Sequence, residues 1–156
     1  MRLGIIAVSR RLPGWLETGI KDYVRRLPPD IKPEITEVTP ARRRSGVAAE
    51  KNLADEARRI ISVLPGGARL IILDEKGKQM TSRQWADQLQ QWRLEDSHCL
   101  FVIGGADGLA PAIRDMAGDT LSLSSLTLPH GIARLLLVEQ IYRAWSQLNN
   151  HPYHRE

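Results

Sequence analysis

Residues able to do chemistry gather at a few places in this 156-residue sequence. Asp74-Glu75-Lys76-Gly77-Lys78 follows an apolar run ending at Leu73, and Gly104-Gly105-Ala106-Asp107-Gly108 follows another ending at Ile103. Open α/β sheets hold ligands just beyond the carboxyl ends of their strands, and glycine there lets backbone amides and carbonyls approach a ligand closely. The second segment reads G-G-x-x-G, which is neither the dinucleotide fingerprint nor a phosphate-binding loop with its Lys-Ser/Thr. Taken alone it fits a ligand loop or a plain glycine turn.

A third segment, Leu121–His130, alternates hydroxyl residues with leucines and breaks at Pro129. As a strand it buries Leu121, Leu123 and Leu126. Thr127 is its only β-branched residue, which weakens that reading, and a hydroxyl-rich loop wrapped around a polar ligand fits equally. The tail brings His151, Tyr153, His154 and Arg155 together; aromatic and cationic groups suit nucleobase stacking and phosphate contact, while a plain polar tail is the alternative. Pro152 between the histidines and the lack of nearby cysteines argue against a metal. Cys99 has no basic partner fixed by spacing and reads as a structural thiol. Ser124-Ser125 lacks the G-x-S-x-G elbow, so hydrolase chemistry has no support.

The elements that must position these residues alternate apolar and amphipathic segments, the signature of a single α/β domain with a mostly parallel sheet flanked by helices. Leu3–Val8, Glu34–Val38, Arg69–Leu73 and Cys99–Ile103 read as strands. Pro13 opens a helix with Trp15, Leu16, Gly19, Ile20, Tyr23, Val24 and Leu27 on its inner face, and Pro28-Pro29 ends it. A second helix runs from about Val47 to Val63 with Leu53, Ala57, Ile60, Ile61 and Leu64 inward. Thr81 and Gln84 have capping-box spacing before a helix carrying Trp85, Leu89 and Trp92. A short helix near Pro111–Met116 and a last one from about Ile132 to Leu148 complete the set. Arg42–Gly46 reads as a mobile loop.

Lys and Arg total 22 against 18 Asp and Glu, a net charge of +4. Arg10-Arg11, Arg25-Arg26 and Arg42-Arg43-Arg44 concentrate it in the first third; such clusters neutralise phosphates or form a solvated positive face. One cysteine excludes an internal disulfide. Leu3–Val8 is too short for a signal peptide, and no run approaches the roughly 20 apolar residues of a membrane span. A cytoplasmic protein is expected.

Five motifs in one short chain carry a more specific message. Leu73-Asp-Glu-Lys-Gly-Lys78, Ile103-Gly-Gly-Ala-Asp-Gly108, Leu123-Ser-Ser-Leu-Thr-Leu-Pro-His130, Glu139-Gln-Ile-Tyr-Arg-Ala-Trp145 and Pro152-Tyr-His-Arg-Glu156 resemble, in order and spacing, the RlmH family of SPOUT-class methyltransferases, over the whole length from Met1 to Glu156. The resemblance implies S-adenosyl-L-methionine-dependent methylation of N3 of pseudouridine 1915, in helix 69 of 23S ribosomal RNA within the ribosome. It implies a trefoil knot in the C-terminal half, which connection rules alone disfavour, and a homodimer whose protomers both build the RNA site, with no metal. The cofactor pocket would comprise Leu73, Gly104, Leu123, Ser124, Ser125, Leu126, Thr127 and Leu128, its leucines enclosing adenine while backbone groups read its edge. His154, His130, Arg143 and Tyr142 would be catalytic, and Arg134, His151, Tyr153 and Arg155 would bind substrate. A histidine, His154 ahead of His130, is the natural base for the N3 proton, unless an arginine stabilises an anion formed without one. The alternatives are a non-catalytic RNA- or ribosome-binding module and a methyltransferase of another RNA such as tRNA.

Overall fold

Parallel strands need cover on both faces and so read as near-continuous apolar runs. Three such runs, the alternating segment Glu34–Val38 and one shorter strand form the sheet of the computed structural model, which describes residues 1–95 and 97–154. In chain order the elements are β1 (Arg2–Val8), α1 (Gly14–Arg26), β2 (Glu34–Val38), α2 (Ala49–Ser62), β3 (Arg69–Gln79), α3 (Ser82–Leu94), β4 (His98–Ile103), α4 (Pro111–Met116), β5 (Asp119–Ser122) and α5 (His130–Leu148), followed by a single 3-10 turn at Pro152–His154. The sheet order is β2-β1-β4-β3-β5 and every pairing is parallel.

Side-chain alternation divides the core in two. Ile5, Ile71 and Phe101 face α1, α3 and α5, where Leu16, Trp85, Trp92 and Leu137 close over them. Ile6, Ile72 and Val102 face α2 and α4 through Ala57, Ile60 and Ile113. Thr81 caps α3 as its spacing requires, with the Gln84 N–H donating to Thr81 Oγ1 at 3.2 Å and the Thr81 N–H donating to Gln84 Oε1 at 2.8 Å.

Two inward assignments are corrected. Trp15 is 63% exposed and Ile61 is 43% exposed. Each sits about 100° round the helix from a fully buried neighbour, Leu16 and Ile60, and the inner stripes are narrower than the apolar runs. The last helix begins two residues earlier than its apolar pattern, because Pro129 in extended conformation serves as its N-cap.

β3 also runs past Leu73. Leu73 and Lys78 both pair with Leu121, so Asp74–Gly77 is extruded as a bulge and the strand resumes beyond it. A β-carbon on Gly77 would lie 2.5–2.8 Å from the Leu121 backbone; only glycine permits that approach. Gly77→Ala is therefore expected to cost about 1–3 kcal/mol by overpacking, lowering the thermal midpoint by several degrees. Gly66→Ala, where nothing lies within 4 Å of an added β-carbon, should leave the midpoint near wild type.

Cys99 is fully buried in β4, and burial pushes its thiol up to about 11 from an ordinary value of 9.0. A raised acid pKa stabilises the fold below the unfolded value and loses that contribution as pH climbs to the folded one. Between pH 9 and 11 wild type should lose about 2 kcal/mol more than Cys99→Ala in urea titrations, and parallel losses would refute the assignment.

Candidate functional site

Because all five strands are parallel, the segments leaving their carboxyl ends share one edge of the sheet. There the bulge of β3, the glycine loop after β4 and the loop after β5 enclose a cleft of about 800 Å³. Leu73, Gly104, Leu123, Ser124, Leu126, Thr127 and Leu128 line it, with His130 at the start of α5. Ser125 is exposed and outside the lining. The strand reading of Leu121–His130 ends at Ser122; beyond it the chain is a loop, and Leu126 is 71% exposed.

Each wall has a local cause. Gly108 adopts φ +79°, the left-handed region glycine tolerates. Its N–H donates to the Gly105 carbonyl at 3.1 Å, and a β-carbon on Gly104 would meet the Gly108 carbonyl at 2.5 Å. The hydroxyls of the third loop fold the loop itself: Ser122 Oγ donates to the Ser124 carbonyl at 2.8 Å, and Ser124 Oγ accepts the Leu126 N–H at 2.9 Å. Short side chains of this kind compete with regular backbone pairing, which is why the strand stops. Thr127 Oγ1 reaches Glu75 Oε2 at 3.3 Å and joins this loop to the bulge.

The bulge is held from within and from outside. Asp74 accepts the Lys76 N–H at 2.9 Å and Arg114 at 2.6 Å. Partial burial works to raise its pKa, but these two donors outweigh that and hold the carboxyl below its ordinary range. Arg114 also donates through Nε to the Leu109 carbonyl at 3.2 Å, linking the bulge to the glycine loop. Sequence reasoning missed Arg114, since nothing in its position on a six-residue helix marks it. The cleft thus combines apolar walls (Leu73, Ile103, Leu123, Leu128), exposed peptide groups and the carboxylates of Asp74, Glu75 and Asp107.

A second cluster forms around the tail. The Tyr153 hydroxyl donates to Glu139 Oε1 at 2.9 Å and lies 2.9 Å from the Tyr23 hydroxyl. Burial, the Tyr23 hydrogen bond and Glu139 all raise its pKa. Arg143 donates to Glu139 from Nε at 3.0 Å and from a terminal nitrogen at 2.7 Å, and its guanidinium sits 5.1 Å from the Tyr153 ring centre. Tyr142, 4% exposed, packs against the rings of Tyr153, Trp145 and His151 at 4.7, 5.6 and 6.0 Å. His154 Nδ1 lies 3.4 Å from Ser146 Oγ. Asn150, at φ 52°, reverses the chain after α5, a conformation asparagine tolerates better than most residues. Glu139, the acceptor for both Arg143 and Tyr153, was missed by sequence reasoning; its i,i+4 spacing to Arg143 was the available signal.

These clusters occupy different parts of one helix. At 1.5 Å per residue, about 18 Å of α5 separates His130 from Tyr142 and about 24 Å separates it from Ser146, where His154 rests. Arg134 belongs to neither: 3% exposed, it donates to Glu37 at 2.6 Å and to Ser9 Oγ, fixing α5 to the exits of β2 and β1. Arg155 lies outside the described residues. Among the described residues no three His, Cys, Asp or Glu side chains gather in a way that could hold a metal ion, and no helix is long and apolar enough to cross a membrane.

Comparison with known proteins agrees with this arrangement. The family model described as predicted SPOUT methyltransferase matches residues 1–154. The chain is similar to ribosomal RNA large subunit methyltransferase H of Burkholderia lata, with 47% identity over 155 residues and 99% of both chains covered. The proteins of that name from Burkholderia mallei and Burkholderia pseudomallei are each 48% identical over the same share of both chains. A match of this extent, over a parallel sheet whose three strand exits close one cleft, shows that the chain belongs to the SPOUT methyltransferase family, in its RlmH group.

Proposed function

We infer that the protein transfers a methyl group from S-adenosyl-L-methionine to N3 of pseudouridine 1915 in helix 69 of 23S ribosomal RNA. The observation that carries this reading is the cleft at the exits of β3, β4 and β5, in a chain whose relatives are named as large-subunit ribosomal RNA methyltransferases.

The residues present fit the cofactor. A cleft of about 800 Å³ falls in the usual range for small-molecule sites. Leu73, Leu123, Leu126 and Leu128 offer apolar contact to the adenine faces, and the peptide groups around Gly104 and Ser124–Thr127 offer partners for its edge. Asp74, Glu75 and Asp107 complement the positive charge of a sulfonium and an ammonium group. When bound, S-adenosyl-L-methionine supplies an electrophilic methyl on that sulfonium sulfur.

The chain's part is then to orient the uracil ring and remove the N3 proton. His130 stands at the cleft, whereas Arg143 sits far along α5 and His151, Tyr153 and His154 lie in the tail beyond its end. Their separation from the cleft within one chain supports a site built by both protomers of a homodimer, with the tail of one copy beside the cleft of the other. There His154 is the first candidate base, Arg143 and Arg155 stabilise the developing anion, and His151 and Tyr153 stack on or bond to the ring. Tyr142 and Arg134 are too buried to reach substrate from their present positions. Tyr142 backs the rings of His151 and Tyr153, and Arg134 fixes the strand exits. A C-terminal trefoil knot accompanies the reading, as the family resemblance implies. A cytoplasmic location, where ribosomes are found, follows from the same substrate.

Ribosomal RNA from a deletion strain is expected to lack one methyl on the helix 69 pseudouridine by mass spectrometry, and the gene supplied in trans should restore it. An unchanged mass there, with loss of a methyl from tRNA, would move the substrate. Calorimetry should show one S-adenosyl-L-methionine bound per cleft; no binding would leave only a non-catalytic RNA-binding module. His154→Ala should lower kcat by about 10²–10⁴-fold, the usual weight of a general base. If His154→Ala and His130→Ala both turn over at wild-type rate, neither histidine is the base. Mixing His154→Ala with Leu123→Asp protomers should regain activity absent from either alone if the site is shared.

A further inference from the structure

The Arg42–Arg44 cluster along this edge of the sheet has an architecture that the methyl-transfer cleft does not use. The chain leaves β2 at Val38 on the same edge as the cleft, two strands from β4, a lateral distance of about 10 Å. The Ala41 N–H donates to Glu56 Oε1 at 3.0 Å, and Glu56, 8% exposed on α2, lies against Gly105 of the glycine loop. One buried carboxylate therefore holds the start of the arginine loop against both α2 and the cleft.

Beyond that anchor the three arginines separate. Arg43 turns to the cleft and pairs with Asp107 at 2.7 Å. Arg42 and Arg44 line a neighbouring groove of about 670 Å³ between this loop and α2, together with Lys51. The carboxylates bordering that groove are already engaged, Glu37 by Arg134 at 2.6 Å and Asp55 by Arg58. Among the described residues Arg42, Arg44 and Lys51 have no carboxylate within ion-pair distance; Arg59, the fourth cation of the lining, is turned aside to the Thr39 carbonyl at 2.6 Å, so three cations are left to face the groove. Groups of this kind, held beside a reaction site, attract phosphate, which guanidinium binds in bidentate geometry.

We propose that the groove between the Arg42–Arg44 loop and α2 binds backbone phosphates of the RNA whose base enters the cleft, with Arg42, Arg44 and Lys51 as the contacting groups. The Arg43–Asp107 pair sets that loop at a fixed place against the glycine loop, so the phosphates are held in register with the methyl-transfer site. This rests on the RNA-methylation reading and extends it from the cleft to a second contact surface.

The test uses large ribosomal subunits from a strain lacking the enzyme. Subunit binding and methylation are measured between 50 and 200 mM salt for wild type, Arg42→Ala/Arg44→Ala, Arg42→Lys/Arg44→Lys and Lys51→Ala, with S-adenosyl-L-methionine affinity as the control for folding. The double alanine variant is expected to bind subunits about tenfold more weakly. Its slope of log K against log salt should flatten by about 1.5, since each lost phosphate contact removes roughly 0.7–0.9. The lysine pair should keep most of the slope, and Lys51→Ala should flatten it by roughly half as much as the double variant. Wild-type affinity and slope in both alanine variants would overturn the groove while leaving the methylation reading intact. A wild-type enzyme that neither binds nor methylates the subunits would overturn both.

Discussion

No side chain fits between Gly77 and the backbone of Leu121, and the cleft exists because of that contact. Both Leu73 and Lys78 pair with Leu121, which leaves Asp74–Gly77 nowhere to go except outward over the strand ends. A bulge of this kind re-aims side chains beside sites. Here it carries Asp74 to Arg114 and Glu75 to Thr127, so one backbone approach fixes the lips of two loops distant in sequence. The glycine loop then closes the third side. Its own turn also depends on a missing β-carbon, at Gly104 against the Gly108 carbonyl.

Helix α5 imposes the second constraint. At 19 residues it spans about 28 Å, with His130 at the cleft and the Tyr142–His154 cluster toward the other end. Arg134 pins it near the cleft end through Glu37 and Ser9, and Glu139 gathers Arg143 and Tyr153 farther along. These attachments leave little freedom for the tail to fold back toward its own cleft. The candidate acid–base groups and the candidate methyl-donor pocket are separated by rigid structure in one chain, and two-fold association is the simplest operation that brings such ends together.

Much of this was legible in the sequence where punctuation is chemical. Pro40, Pro111 and the Thr81–Gln84 pair place β2, α4 and the start of α3 at their observed positions, because each acts on the backbone next to it. The leucine-and-hydroxyl run was open between strand and loop for a physical reason: both conformations satisfy the pattern up to Ser122. What decides is Ser124 capturing the Leu126 N–H, a bond that composition does not reveal. The bulge of β3 was invisible because its cause is Leu121, more than 40 residues away. Trp15 and Ile61 misled through size alone, since an apolar residue one step off a buried stripe looks like part of it. Arg134 carried no sign of burial: its partners Glu37 and Ser9 are set by tertiary contact rather than helical spacing.

The ion pairs divide by what they can do. Asp74–Arg114 and Asp107–Arg43 join segments around the cleft, and the arginine of each is more than one-third exposed. Pairs in that setting contribute little to stability, typically about 0–1 kcal/mol, so their effect is on where loops sit rather than on whether the chain folds. Arg134 is the opposite case. Its guanidinium is buried and among the described residues its Nε finds no partner, an arrangement in which removing Glu37 would leave an uncompensated buried charge. The sheet and α5 are thus committed by costly interactions, while the cleft rim is held by weak ones. Ligand-binding loops are drawn from the least stable part of a fold, and this distribution lets the rim adjust without loosening the helix that separates the two clusters.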